Sequence, residues 1–211
     1  MNIDKLKIFG ERHTATNAVS IMMWQSFKLS QQGYGYLGWK HRRAPKETEW
    51  RKYPVNETLF LITVRHPYTW LKAMHREPYA PHQPNLKDLS FVDFLRHPFE
   101  DYENVICNWN EKYLEYLRFF EEVPNSLIVR IEDFSKDQSI LFDRINGVFG
   151  NGEFEPFNKY FNGMTGAQNP DKAKISKEVN AMPEFNKNEL EIIHEYLNQE
   201  LLTKFNYSLF L

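Results

Sequence analysis

A single cysteine, Cys107, stands among the 211 residues. An intrachain disulfide is therefore impossible, and a cysteine-built zinc site is excluded with it. No stretch approaches the roughly twenty consecutive apolar residues that a membrane-crossing helix needs. The opening MNIDKLKIFG has no long apolar segment of the kind a secretory leader carries. Charge of one sign is lacking too: 26 Lys and Arg face 28 Asp and Glu, a net −2, which argues against a general nucleic-acid coat. The seven histidines show neither HExxH nor paired helical spacing, so no metal site is expected. The Walker A pattern G-x-x-x-x-G-K-[ST] is missing, which disfavours a standard ATPase or GTPase. These absences predict a cytoplasmic protein without nucleic-acid or membrane partners.

What remains has an ordinary balance, 42% hydrophobic and 26% charged, at a length suited to one well-cored domain over residues 1–211. Residues 5–9 read as a short apolar strand, and 16–29 (TNAVSIMMWQSFKL) have helical periodicity with Val19, Met22, Met23 and Phe27 on one side. The stretch QQGYGYLGWKHRRAP is expected to hold a second short strand ending near Trp39. ETLFLITV (57–64) is a continuous apolar run, as in a strand buried on both faces of a parallel sheet, and Tyr68 to His75 begin a helix after it.

Residues 77–89 read as a long loop, and Ser90 is placed to cap FVDFLR. An amphipathic helix is expected over 102–122, its stripe including Val105, Trp109, Tyr113, Tyr116 and Phe120. SLIVRIEDF (126–134) reads as another buried strand and 138–149 as a helix. Residues 150–183 look loop-like, and a last helix over 187–202 is capped by Asn186. Alternating strands and helices predict an α/β fold of three layers, a mainly parallel sheet flanked by helices.

Ligands of open α/β sheets sit beyond the C-terminal ends of the strands. Three such ends carry polar residues here: Glu11 to Asn17, Trp39 to Arg43 and Arg65 to Pro67. In the first, KIFGERHTATNAV passes from strand to helix through small and hydroxylated residues. The opening amides of a helix lack intrahelical partners, so such a turn admits an anion. The backbone of residues 13–17, with the hydroxyls of Thr14 and Thr16, would bind phosphate or sulfate, and Arg12 or His13 would add charge. The same turn also suits an ordinary strand-to-helix connection, with Gly10 as the tight residue and Thr14 as the cap.

The combination of FGERHTATNAV, LFLITVRHPYTWLKAMHREPY and SLIVRIEDF resembles the sulfotransferase family, whose donor is 3′-phosphoadenosine 5′-phosphosulfate (PAPS). The resemblance covers most of residues 5–150 and, more loosely, the terminal KFNY. It implies a P-loop NTPase-like sulfotransferase fold, with the phosphosulfate held by a strand–loop–helix similar to PKSGTTW. On that pattern Thr14, Ala15 and Thr16 fall on the family's serine, glycine and threonine, and His13 on its catalytic lysine. Many bacterial relatives carry a GERxxGTN-like loop, which GERHTATN resembles.

The resemblance makes Arg12, His13, Thr14, Ala15, Thr16 and Asn17 donor-binding residues, with Arg12 and His13 also catalytic. Arg65 matches the family's 3′-phosphate arginine. The serine expected eight places later is Ala73, beside which Lys72 offers a substitute charge. WKHRRAP resembles the segment holding the family's general base, which makes His41, 24 positions before Arg65, the proton acceptor. Trp39 is placed to stack on adenine, and a core position suits it equally.

The reading expected is thus sulfuryl transfer from PAPS to a hydroxyl or amine of a carbohydrate or small-molecule acceptor, without a metal and leaving adenosine 3′,5′-bisphosphate. The acceptor would enter against residues 77–85 and part of 155–183, near Tyr79, His82, Phe157 and Tyr160. Replacement of the lysine and serine by His13 and Ala73 also fits a sulfotransferase-fold protein that binds a nucleotide or anion without turnover. A divergent P-loop kinase of small molecules is the third reading. A strand-end arginine has no core role, so Arg65→Ala is expected to weaken donor binding and spare the fold. Elsewhere Glu132 and Asp133 with Arg130 read as a structural ion-pair network, Trp109 and Tyr113 as core, and Cys107 as buried and inert.

Overall fold

The computed structural model describes residues 3–78, 85–150, 152–156 and 177–209. Its centre is an all-parallel sheet in the order β2-β1-β3-β4, formed by Ser30–Gln31 (β2), Lys5–Gly10 (β1), Thr58–Val64 (β3) and Ser126–Arg130 (β4). All seven residues of β3 are buried, as its unbroken apolar run requires. Alternation along the strands divides the core into two layers. Phe9, Phe60, Ile62 and Val64 face one, while Leu6, Ile8, Leu59, Leu61 and Val129 face the other.

Helices cover both faces. The first layer is closed by α3 (Pro67–Arg76), α4 (Phe91–Arg96), α5 (Val105–Glu122), α8 (Lys187–Tyr196) and α9 (Gln199–Lys204). The second is closed by α1 (Thr16–Phe27), α6 (Ile131–Lys136) and α7 (Ser139–Phe149). A one-turn helix, α2 (Glu47–Trp50), lies before β3 and adds Trp50 to the first layer. The fold is α/β with a parallel sheet between helical layers, and no described helix is long and apolar enough to cross a membrane.

Four local readings are corrected. The second strand does not run to Trp39: it stops at Gln31, and residues 34–38 form a turn with positive φ at Leu37 and Gly38. The cause is Lys7, 2% exposed, whose ammonium donates to the carbonyls of Gly33 (2.8 Å) and Gly38 (2.7 Å) and gathers the glycine-rich chain around itself. The long helix begins at Val105 rather than 102, because Asn104 Oδ1 accepts from the amides of Ile106 and Cys107, both at 2.9 Å.

The strand at 126–134 ends at Arg130, and IEDF winds into α6. There Glu132 accepts from the His66 amide (2.8 Å) and the Tyr207 hydroxyl (2.7 Å), while Arg130 lies 3.7 Å from Asp133. Finally, the last helix is broken at Leu197. Asn110 on α5 bonds Tyr196 O and the Asn198 amide there, and Asn198 caps α9. Trp109 and Tyr113 are core residues, as expected, whereas Cys107 is half-buried, with burial raising its thiol pKa.

Candidate functional site

The loop after β1 is shaped by close approach. Gly10 has φ +152°, and a Cβ there would meet Thr63 Oγ1 at 2.1 Å and Thr63 O at 2.6 Å, so no other residue fits. His13 (φ 62°) and Ala15 (φ 54°) are left-handed on either side of Thr14, which is not. The turn leads into a helix whose first amides receive no side-chain cap, which leaves them open to a partner. Ala15, not Thr14, occupies the cap position of α1, and no side chain caps the helix. Thr14 is fully buried: its hydroxyl donates to Glu11 O (2.5 Å) and meets Thr63 Oγ1 (2.7 Å). Its role is to tie the loop to β3.

The expected cations are disposed in different ways. Arg12 is 7% exposed, donates to Glu100 (3.0 Å) and lies 5.2 Å from the Trp39 ring centroid. His13 Nε2 lies 2.9 Å from Glu77 O. A carbonyl only accepts, so that nitrogen carries the ring proton and spends it there. Burial lowers the His13 pKa, which leaves a neutral ring at pH 7. Arg65, 5% exposed at the end of β3, donates to Thr69 Oγ1 (3.0 Å) and His13 O (3.3 Å). Lys72 reaches toward α8 and α4: it pairs with Glu189 at 3.4 Å and lies 3.6 Å from the Phe91 ring centroid. Ala73 is buried in α3.

Although Trp39 to Arg43 follow no strand, the structure delivers them to the end of β1. The Gly10 amide donates to Lys40 O (3.0 Å), and His41 Nδ1 donates to Gly10 O (2.6 Å). That bond fixes the tautomer and leaves Nε2 with its lone pair and no hydrogen-bond partner among the described residues. Burial pushes the His41 pKa down to about 3, assisted by Lys40, Arg12 and Lys112, and the Gly10 bond opposes the shift only in part. Trp39, 38% exposed, stands edge-on to His41 at 4.9 Å.

Behind this turn lies an ionic group that sequence reasoning missed. Lys112, 3% exposed, donates to Glu11 Oε1 (2.5 Å) and to His41 O (3.0 Å), and lies 3.7 Å from Glu100. Glu11 itself is fully buried. The available signal was a lysine beside the apolar stripe of α5, three residues after Trp109 and four before Tyr116.

Beside the loop, an open cleft of about 150 Å³ is lined by Lys7, Thr16, Gln32, Tyr34, Trp39 and Lys40, among others. Ligand pockets of drug size run to about 300–1,000 Å³. Among the described residues this cleft takes a single tetrahedral group or a ring edge, and the rest of a nucleotide would lie beyond it. The structure therefore brings Arg12, His13, Thr14, Ala15, Thr16, Asn17, Trp39, His41 and Arg65 around one loop and directs the Lys72 side chain to other partners. Tyr79, His82, Phe157 and Tyr160, expected near an acceptor, lie outside the described residues. Family models, curated proteins and solved structures contain no match to the chain.

Proposed function

We propose that the chain is a PAPS-dependent sulfotransferase acting on a hydroxyl or amine of a carbohydrate or small molecule. One observation carries the reading. His41 and Arg65, from separate segments, donate to Gly10 O at the end of β1 and to His13 O in the loop after it, so the two expected functional side chains meet at the turn that leads into the uncapped α1. In this scheme the amides of that first turn take the 5′-phosphosulfate, and Arg65 stands toward the nucleotide.

The acceptor atom attacks sulfur in line. A new S–O bond, or S–N bond where the acceptor is an amine, forms as the bond to the bridging oxygen breaks, and the electron pair leaves on the phosphate of adenosine 3′,5′-bisphosphate. The acceptor proton passes to His41 Nε2 and then to solvent. A base with pKa near 3 cannot deprotonate an alcohol beforehand, so it takes the proton late, once the forming S–O bond has acidified the hydroxyl. An anion bound at the loop would raise the His41 pKa and strengthen it as a base.

A second reading, nucleotide binding without turnover, is favoured by the neutrality of both His13 and His41. Calorimetry with adenosine 3′,5′-bisphosphate, run beside a radiolabelled sulfate-transfer assay over an acceptor panel, separates the two. Transfer that His41→Ala abolishes while bisphosphate affinity holds supports the enzyme. Binding with no transfer to any acceptor supports the second reading, and magnesium-dependent ATP binding in place of the bisphosphate would favour a kinase.

A further inference from the structure

The loop that would hold an oxyanion has no uncommitted cation of its own, and Arg65 beside it directs donors to Thr69 Oγ1 and His13 O. His13 is neutral and donates its ring N–H to Glu77 O, and Arg12 is committed to Glu100. Lys112 is committed to Glu11, and Lys72 to Glu189. Lys40 differs from all of these. Its backbone carbonyl accepts the Gly10 amide, which anchors residue 40 at the end of β1, and its ammonium donates to Asn17 Oδ1 in the first turn of α1. Among the described residues that neutral amide is its side-chain hydrogen-bond partner, and it makes no ion pair with a carboxylate.

We infer that Lys40 supplies a positive charge to this site, holding a tetrahedral oxyanion, a sulfate or phosphate group, between its ammonium, Thr16 and the first turn of α1. The inference rests on the reading of the loop as an oxyanion cradle and adds to it a cation on the cleft side. Lys40 and Thr16 both line the open cleft, so an anion entering there meets the ammonium without displacing a carboxylate. Asn17 acts as a placeholder: its amide oxygen keeps the ammonium in position and is a weaker partner than an anionic oxygen.

The charged surroundings favour the same guest. Lys7 lines the cleft from β1, and Lys40 adds to the potential that depresses protonation of His41, as do Arg12 and Lys112. Burial without a counter-charge brings the Lys40 pKa down to about 8. Burial brings Lys7, in the same cleft, down to about 8 as well. An arriving oxyanion reverses these penalties, so binding near pH 8 takes up protons from solvent, about half of one at Lys40.

The test is calorimetry of the full chain with adenosine 3′,5′-bisphosphate and with pyrophosphate, at pH 8 in two buffers of different ionisation enthalpy. The wild type is expected to take up protons on binding the bisphosphate, whose phosphate groups are already ionised at pH 8, and pyrophosphate is read for affinity alone. Lys40→Met is expected to bind at least tenfold more weakly with the uptake reduced, and Lys40→Arg to retain affinity with the same reduced uptake. Lys40→Gln, which keeps a donor for Asn17 Oδ1 without the charge, serves the same comparison if the methionine variant is poorly folded. Equal affinity for wild type and Lys40→Gln overturns the inference and leaves the cradle standing. Failure of the wild type to bind either ligand overturns both. Weaker pyrophosphate binding by Lys40→Gln without any bisphosphate binding keeps the lysine and removes the nucleotide.

Discussion

The ammonium of Lys112 lies 2.5 Å from Glu11 Oε1 and 3.0 Å from the carbonyl oxygen of His41. One buried cation on α5 thus holds both the loop after β1 and the turn that carries His41. The neighbouring contacts work in the same direction, with Arg43 bonding Glu115 at 2.9 Å and the Tyr116 hydroxyl donating to Arg42 O at 2.5 Å. Helix α5 is therefore the template on which two chain segments acquire a common register.

Removing one partner of a buried ion pair leaves the other charge uncompensated, at a cost of about 3–5 kcal/mol. Lys112→Met is expected to lose stability of that order in urea unfolding. Adding Glu11→Gln should recover part of the loss, because the orphaned carboxylate is then neutral. A double variant as unstable as the simple addition of both losses would show that the pair is not coupled.

Gly10→Ala places a methyl group where Thr63 already stands, in a backbone conformation at φ +152° that side chains disfavour. Strain and overpacking together are expected to cost roughly 2–5 kcal/mol. Gly35→Ala is the control, since nothing lies within 4 Å of a Cβ there. Similar melting temperatures for the two variants would contradict the packing account.

Acid should destabilise the fold through its buried imidazoles. In the unfolded chain a histidine takes a proton near pH 6.5, whereas His41 stays neutral down to about 3 and His66 to about 4. The unfolded state therefore binds more protons between those values, and stability falls as pH drops through that window. Each unit of difference is worth about 1.4 kcal/mol where it is fully expressed. His41→Gln should flatten the slope of unfolding midpoint against pH between 6.5 and 4. An unchanged slope would mean that His41 is hydrated and titrates normally.

Arg65→Ala is expected to lower both anion affinity and stability. The sequence suggests a surface arginine without a core role, but the side chain is 5% exposed and donates to Thr69 and to the His13 carbonyl. Leaving those buried groups without a donor costs about 1–3 kcal/mol. A melting temperature within a degree of wild type would restore the simpler, binding-only role.

Elements with local signals were legible in the sequence. The apolar run of β3, the strand–turn–helix around Gly10, the Ser90 cap of α4 and the Asn186 cap of α8 each depend on a few adjacent residues, and each stands as read. The ends of β2, β4 and the last helix were not legible. The first depends on the buried ammonium of Lys7, and the last on Asn110, 88 residues from the amide it accepts.

The sequence by itself determined the alternation of strands and helices and placed a tight glycine turn at the end of β1, because periodicity, caps and glycine are short-range quantities. Tertiary structure alone decided which polar groups meet there. The bond between Lys112 and Glu11 spans 101 positions, and His41 reaches Gly10 across 31. No window along the chain contains such a contact. Burial selects it only when the layers close, since a charge or imidazole removed from water must find whatever partner the fold brings within reach.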